Sequence, residues 1–145
     1  MNTFKNQVQF LLFFMLIAFQ STAVFGQTCS VPSFGTQAAI DNFATDYPGC
    51  TCIEFPQFGS SIAGANITNL NGLSQVTKIV GGLRITQTNL TSMSGLENLD
   101  TITQLLWFDN NSLLNDLTDL SNLNSVPRLT VMMCLLFTQV SLLRK

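Results

Sequence analysis

The feature that most constrains the fold of this chain is an internal sequence repeat. Three blocks, 67–79, 90–102 and 114–126, carry an apolar residue at every third position. All five apolar positions recur from block to block, at an offset of 23 and then of 24. One such block cannot bury its apolar face alone, but blocks stacked on one another can. The repeat therefore predicts a stack of coils.

The residues between the apolar positions argue against helices. Interspersed Gly, Asn, Thr and Ser disfavour a long helix, whereas a coil that turns corners can point every apolar side chain inward. A short strand-like segment follows each block, at 83–85, 105–107 and 129–131, at an offset of 22 and then of 24. We expect these strands to form one parallel sheet. Segments near 76–79, 99–102 and 123–126 should form another, with Asn side chains satisfying backbone groups at the corners.

The predicted fold class is therefore mainly β, a short right-handed β-helix or leucine-rich solenoid with repeats over 53–131. The segment 53–66 is expected to be a degenerate first coil, in which Ile62 is the counterpart of Ile85. Residues 27–52 are expected to be an N-terminal cap, because solenoids need one to shield the first coil. The cap contains one short helix over 36–45, with Thr36 as its N-cap.

The segment 1–26 has the three parts of a secretory signal peptide, expected as a helix ahead of the mature chain. Lys5 precedes an apolar run over 10–19, and small or polar residues follow. The run is shorter than the roughly 20 residues that span a bilayer. Cleavage is expected after Gly26, with Ala23 as the alternative, so the protein should be secreted or displayed at the cell surface. A lipoprotein signal fits poorly, because the residues before Cys29 do not form a small-residue box.

The charges of the mature chain exclude a nucleic-acid partner. Residues 27–145 hold five basic and eight acidic residues, a net charge of −3, and no basic patch. The chain has no His, so neither a Ser–His nor a Cys–His nucleophile pair can form. We expect no enzyme, no cofactor and no metal.

The cysteines suit an oxidising compartment. Cys29–Cys50 is the preferred disulfide, because it closes a loop around the predicted helix, and Cys29–Cys52 is the alternative. A zinc site is the competing interpretation, but the gap between Cys50 and Cys52 is wrong for a zinc knuckle. The roles of Cys52 and Cys134 stay open.

Two further groups of residues are considered as ion-binding sites. Asp109, Asp116 and Asp119 fall near one corner and could coordinate calcium, although a solvated loop is the favoured interpretation. Gly81-Gly82 is not a phosphate loop, because no Lys-Ser/Thr follows it.

A candidate binding face follows from the strand at 105–108. If Leu105 and Trp107 point inward, alternation turns Leu106 and Phe108 outward. The equivalent positions in adjacent coils are Arg84 with Thr86 and Thr130 with Met132. These residues make an exposed stripe with an aromatic at its centre, a composition typical of binding hot spots. The alternative is that Phe108 packs under the 110–114 loop or that further coils would cover it.

The repeat pattern stops near Val131, and residues 132–145 form an atypical apolar tail. The apolar stretch 129–143 is shorter than a membrane span, so we interpret it as a damaged fourth coil and expect no stable span. The abrupt loss of Asn and Gly suggests a truncated or frameshifted reading frame.

A further set of segments carries a resemblance to a known family: Cys29, 36–43, 47–51, 67–73, 80–85 and 94–99. With these segments the chain resembles the receptor L-domain family, and more closely the secreted bacterial proteins of the Bacteroidetes type that carry L-domain-like leucine-rich repeats. The resemblance covers 29–131, but such proteins usually have more coils. It implies a non-catalytic extracellular recognition or adhesion module for an extracellular protein or glycan. The alternatives are a structural cell-envelope or matrix protein, or a fragment without independent function.

Overall fold

The computed structural model describes residues 26–55 and 61–132, and the protein is mainly β. The predicted signal peptide and the predicted apolar tail after Met132 lie outside the described residues. None of the described helices is long and apolar enough to cross a membrane.

The described part of the chain contains eight strands, two short helices and two 3-10 turns. The helices are α1 (Gln37–Asp41) and α2 (Phe43–Asp46), and the 3-10 turns are Asn71–Leu73 and Thr118–Leu120. The strands are β1 (Gln27–Ser30), β2 (Cys50–Glu54), β3 (Ser61–Ala63), β4 (Lys78–Val80), β5 (Leu83–Thr86), β6 (Thr101–Ile102), β7 (Leu105–Asp109) and β8 (Arg128–Met132).

All strand pairs are parallel, and they form two sheets of four strands. The first sheet has the order β1-β2-β4-β6, and the second has the order β3-β5-β7-β8. A bridge between Thr101 and Ser125 continues the first sheet into the third block. The predictions of two parallel sheets and of the Ile62–Ile85 pairing are confirmed.

The register of the second sheet differs from the predicted one. Leu83 lies opposite Leu106, and Leu106 lies opposite Leu129. Both offsets are therefore equal to 23, and the predicted offsets of 22 and 24 are wrong. A shift of one residue reverses which side chains of a strand face the core, so this correction changes the candidate site.

The apolar positions of the repeat form the core. Those of the first two blocks are all buried, while Leu123 and Val126 at the end of the third block are partly buried. The buried repeat positions are Ile67, Leu70, Leu73, Val76, Ile79, Leu90, Met93, Leu96, Leu99, Ile102, Leu114, Leu117 and Leu120.

The two helices cover the N-terminal end of this core. Thr36 Oγ1 accepts a hydrogen bond from the Ala39 amide at 3.2 Å, which confirms Thr36 as the N-cap. The predicted helix is interrupted at Asn42, and Ile40 and Phe43 on either side are buried. Gln37 fixes the helices to the first block, because its Oε1 accepts from the Thr68 amide at 2.8 Å.

Asn side chains bridge successive blocks at the corners, as predicted. Asn98 Nδ2 donates to the Ser74 carbonyl at 2.8 Å, and Asn122 Nδ2 donates to the Glu97 carbonyl at 2.7 Å. Asn111 is buried and accepts from both the amide and the hydroxyl of Thr88. Buried backbone polar groups need such partners, so these bonds allow the corners to pack tightly.

Two glycines mark the closest approaches between neighbouring units. A Cβ at Gly72 would collide with the Ile40 carbonyl of α1, and one at Gly95 would collide with the Leu70 carbonyl of the preceding block. Gly95 also has a positive φ of 103°, which L side chains rarely adopt. The blocks can stack this closely only because both positions lack a side chain.

The disulfide is Cys29–Cys50, with a Cα–Cα distance of 5.9 Å and a sequence separation of 21. The preferred pairing is therefore confirmed. The bond links β1 to β2 and closes the loop that contains both helices. Cys52 has no disulfide partner within 26–55 and 61–132.

We predict that Gly95→Ala lowers the free energy of unfolding by at least about 2 kcal/mol. The added methyl group both strains the backbone and meets the Leu70 carbonyl. Urea unfolding measures the change. Gly35→Ala is the matched control, since a Cβ there has no atom within 4 Å. Equal stability of the two variants would contradict the close stacking.

We also predict that Cys29→Ser lowers the free energy of unfolding by about 3 kcal/mol, as expected for a loop of this length. Cys52→Ser should leave it within about 0.5 kcal/mol of wild type, as for most surface changes. Thermal unfolding of both variants under non-reducing conditions tests this. A loss in Cys52→Ser as large as that in Cys29→Ser would favour the Cys29–Cys52 pairing.

Candidate functional site

The outer face of the second sheet carries the partly exposed side chains of β5 and β7. Alternation along the strands separates them from the buried residues Leu83, Ile85, Leu106 and Phe108. The side chains on the outer face are Arg84, Thr86, Leu105, Trp107 and Asp109.

The prediction that Leu106 and Phe108 point outward is therefore wrong. Both are buried in the core, at 0% and 1% exposure. The cause is the predicted alignment of Leu105 with Leu83, whereas Leu106 is the true partner of Leu83.

The corrected register keeps part of the predicted face and adds to it. Arg84 and Thr86 lie on the outer face as expected, and the backbone register places Thr130 opposite Trp107. Trp107 and Asp109 were missed. One signal could have found them, because Leu83-x-Ile85, Leu106-x-Phe108 and Leu129-x-Val131 share a single offset.

Three outer-face side chains, Arg84, Trp107 and Asp109, form a contiguous group that we call the tryptophan cluster. Arg84 lies opposite Trp107 in the register, and its Cζ is 5.5 Å from the centroid of the Trp107 ring. Arg84 Nη2 donates to Asp109 Oδ2 at 3.4 Å. The cation–π contact adds about 0.5–1 kcal/mol, and an exposed ion pair of this kind adds at most about 1 kcal/mol. Together they favour the observed orientation of the arginine.

Two N–H groups of the tryptophan cluster have no acceptor in the described part of the chain. They are Arg84 Nε and Trp107 Nε1, and both are shielded from water. An unpaired buried donor costs about 1–3 kcal/mol. Unsatisfied buried donors are uncommon in native proteins.

Several residues around the tryptophan cluster have short side chains or none. Ala63 of β3 lies opposite Thr86 of β5, and Thr86 lies opposite Asp109 of β7. Gly82 lies beside Leu105 and has no side chain of its own. The Trp107 side chain, with Arg84 over its ring, is itself partly buried.

The acidic residues suggested as calcium ligands do not assemble into a metal site. Within 26–55 and 61–132, no three Cys, Asp or Glu side chains come together as metal ligands. Asp109 pairs with Arg84, while Asp116 accepts from the amide and the hydroxyl of Thr118 at 2.8 and 2.7 Å. Asp116 therefore supports the 3-10 turn that follows it.

The chain belongs to the receptor L domain family. The family model for the Receptor L domain matches residues 50–133, which is more than half of the chain. Receptor L domains are non-enzymatic binding domains, so the family is that of a non-catalytic ligand-binding module. No curated protein and no solved structure matches the chain.

We predict a pH-dependent contribution of Asp116 to stability. The hydrogen bonds from Thr118, first from its amide and then from its hydroxyl, lower the pKa of Asp116. A carboxylate with a lowered pKa stabilises the fold above its unfolded pKa of about 3.9, and this stabilisation is lost as the pH falls through the folded pKa. Asp116→Asn should be less stable than wild type at pH 7, and the difference should shrink below about pH 4.

Urea unfolding at a series of pH values measures this difference. Asp119→Asn is the matched control, because Asp119 lies in the same turn and accepts no bond from Thr118 in the described structure. A difference between Asp116→Asn and wild type that stays constant from pH 7 to pH 3 would disprove the assigned role.

Proposed function

We propose that this protein is an extracellular recognition module that binds its ligand on the outer face of the second sheet. The observation that carries the proposal is the tryptophan cluster. It combines an aromatic ring with an arginine–aspartate ion pair on one partly exposed surface. Aromatic residues and arginine are the types most enriched in binding hot spots.

The architecture that we propose is a short right-handed solenoid of the leucine-rich β-helix type. Residues 27–52 would form the cap, and residues 53–131 the stacked coils. The evenly spaced parallel registers support this division, as does the contact of the two helices with the first block. A signal peptide over 1–26, cleaved after Gly26, would deliver the mature chain to the cell surface or the medium.

An extracellular location agrees with the disulfide and with the family. The Cys29–Cys50 bond needs an oxidising environment to form and persist, and the signal-peptide pattern at the N-terminus provides the route of export.

A rigid sheet suits recognition on energetic grounds. β5 is paired on both sides, by β3 and β7, and β7 is paired by β5 and β8. Binding therefore orders little additional backbone, and the entropic cost of association is kept low.

The experiment measures binding of labelled protein to cells and extracellular material of the source culture. Wild-type protein should bind saturably, and unlabelled wild type should compete. Trp107→Ala should compete at least tenfold less well, because it removes the ring and releases Arg84.

Lys78→Ala is the matched control. Lys78 is an exposed residue of the first sheet, away from the tryptophan cluster, and its variant should compete as wild type does. Circular dichroism verifies that both variants fold. Non-saturable retention that is equal for all three proteins would overturn the proposal and favour a structural envelope component.

A further inference from the structure

We propose that the mature protein begins with a pyroglutamate ring formed from Gln27. The inference rests on the export step of the proposed function, in which the signal peptide is cleaved after Gly26. It assigns a covalent modification to the first residue of β1. The support comes from the chemistry of an N-terminal glutamine, from the exposure of Gln27 and from the way in which β1 is paired.

Cleavage after Gly26 makes Gln27 the first residue of the mature chain. Glycine is one of the small residues that precede such a cleavage site. An N-terminal glutamine can react with itself, because its α-amino nitrogen can reach its own side-chain carbonyl carbon and close a five-membered ring. Cleavage after Ala23 would instead expose Val24, whose side chain has no carbonyl group.

The reaction needs no reactant beyond Gln27 itself. An α-amino group titrates close to neutral pH, so part of it is unprotonated and nucleophilic in the medium. Its nitrogen attacks Cδ, a bond forms between these two atoms, and the bond from Cδ to Nε2 breaks. Nε2 leaves as ammonia and takes one proton from the attacking amine. The product is a neutral lactam, and nothing is oxidised or reduced.

The structure leaves the side chain of Gln27 free to react. The residue is exposed and begins β1. Other glutamine amides of the described chain are held, since Gln37 donates to the Asn69 carbonyl and Gln75 to the Tyr47 carbonyl. Within residues 26–55 and 61–132, the Gln27 amide forms no such bond. No described contact therefore keeps the amide away from its own α-nitrogen.

The lactam ring is compatible with the pairing of β1. The backbone nitrogen of Gln27 donates to the Gly49 carbonyl at 3.4 Å. Because the lactam nitrogen keeps one hydrogen after the ring has closed, this bond can persist. The backbone carbonyl of residue 27 takes no part in the reaction, so the rest of the pairing between β1 and β2 is unchanged.

A blocked N-terminus would protect one edge of the first sheet. β1 is the first strand in the order of that sheet and pairs with β2. Gln27 and Thr28 supply two of the four residue pairs that join these strands, and Cys29 of the disulfide follows directly. Aminopeptidases need a free α-amino group, so the ring would prevent the stepwise removal of these residues. The modification therefore suits a protein that persists outside the cell.

Mass spectrometry of the protein secreted from its full-length gene tests the proposal. After reduction and digestion, the N-terminal peptide should begin at residue 27 and should weigh one ammonia less than its sequence. Pyroglutamyl aminopeptidase should then shorten it by one residue. An unmodified synthetic peptide of the same N-terminal sequence, added when the protein is collected, reports any ring closure during the work-up.

Gln27→Asn is the matched control, because it keeps the amide but is one methylene shorter. Its α-amino nitrogen would have to close a strained four-membered ring, so this variant should keep a free N-terminus. Circular dichroism verifies that it folds as wild type does. An N-terminal peptide with unmodified Gln27, or one that begins at Val24, would overturn the proposal.

Digestion with a broad-specificity aminopeptidase tests the protective role. Wild-type protein should retain its first residue, whereas Gln27→Asn should lose residues from β1. The N-terminal peptide of each protein is followed over time by mass. Equal resistance of the two proteins would show that pairing with β2 protects the strand by itself, and would overturn the protective role of the ring.

These results are distinguishable from a failure of the proposed function. A mature chain that begins with unmodified Gln27 but binds cells through Trp107 would reject the modification and leave the recognition module standing. A secreted product that retains residues 1–26 would reject the export step on which the modification depends.

Discussion

The stacking of each block on the next at one strand spacing is the constraint on which the rest of the structure depends. Parallel pairing holds successive blocks about 4.8 Å apart. At that distance a residue that meets a neighbouring block or helix must have an apolar side chain, a hydrogen-bonded side chain or no side chain. Leu and Ile meet the first condition in the core, and Asn98 and Asn122 meet the second at the corners. Gly72 and Gly95 meet the third.

The same constraint explains a buried polar pair. Asn111 and Thr88 occupy equivalent positions in adjacent coils, and both are almost completely buried. Asn111 Oδ1 accepts two bonds from Thr88, and Asn111 Nδ2 donates to the Ile85 carbonyl at 2.8 Å. A side chain that satisfies a turn of the neighbouring coil fixes the register between coils more narrowly than an apolar contact would, since a slip of one residue would leave three buried groups unpaired.

The sequence was sufficient to predict the parts of the fold that depend on the average repeat. The apolar positions, the two parallel sheets and the Thr36 cap required only spacing and residue type. The Cys29–Cys50 bond was the preferred of two possible pairings, and the structure decides between them. To predict which side chains of β7 face outward, the register between the strands must be known to within one residue. The spacing of the repeat did not define the register that accurately. The first four residues of β7, 105–108, are all apolar, so alternation of polarity does not mark the outer side of the strand before Asp109. The structure resolves the ambiguity because Leu106 pairs with Leu83, which is buried.

That ambiguity has a functional meaning. In a strand with strictly alternating polarity, the sequence would show which side chains face outward. Such a strand would, however, have few apolar side chains on its outer face with which to contact a ligand. β7 instead places Trp107 on the outer face, outside the core. Arg84 lies over the Trp107 ring and covers part of it. The cluster thus depends on the stack for its geometry, while the stack does not depend on the cluster for its packing. Outer-face residues can therefore change from one member of the family to another without loss of the fold, and ligand specificity can reside in one or two positions per coil.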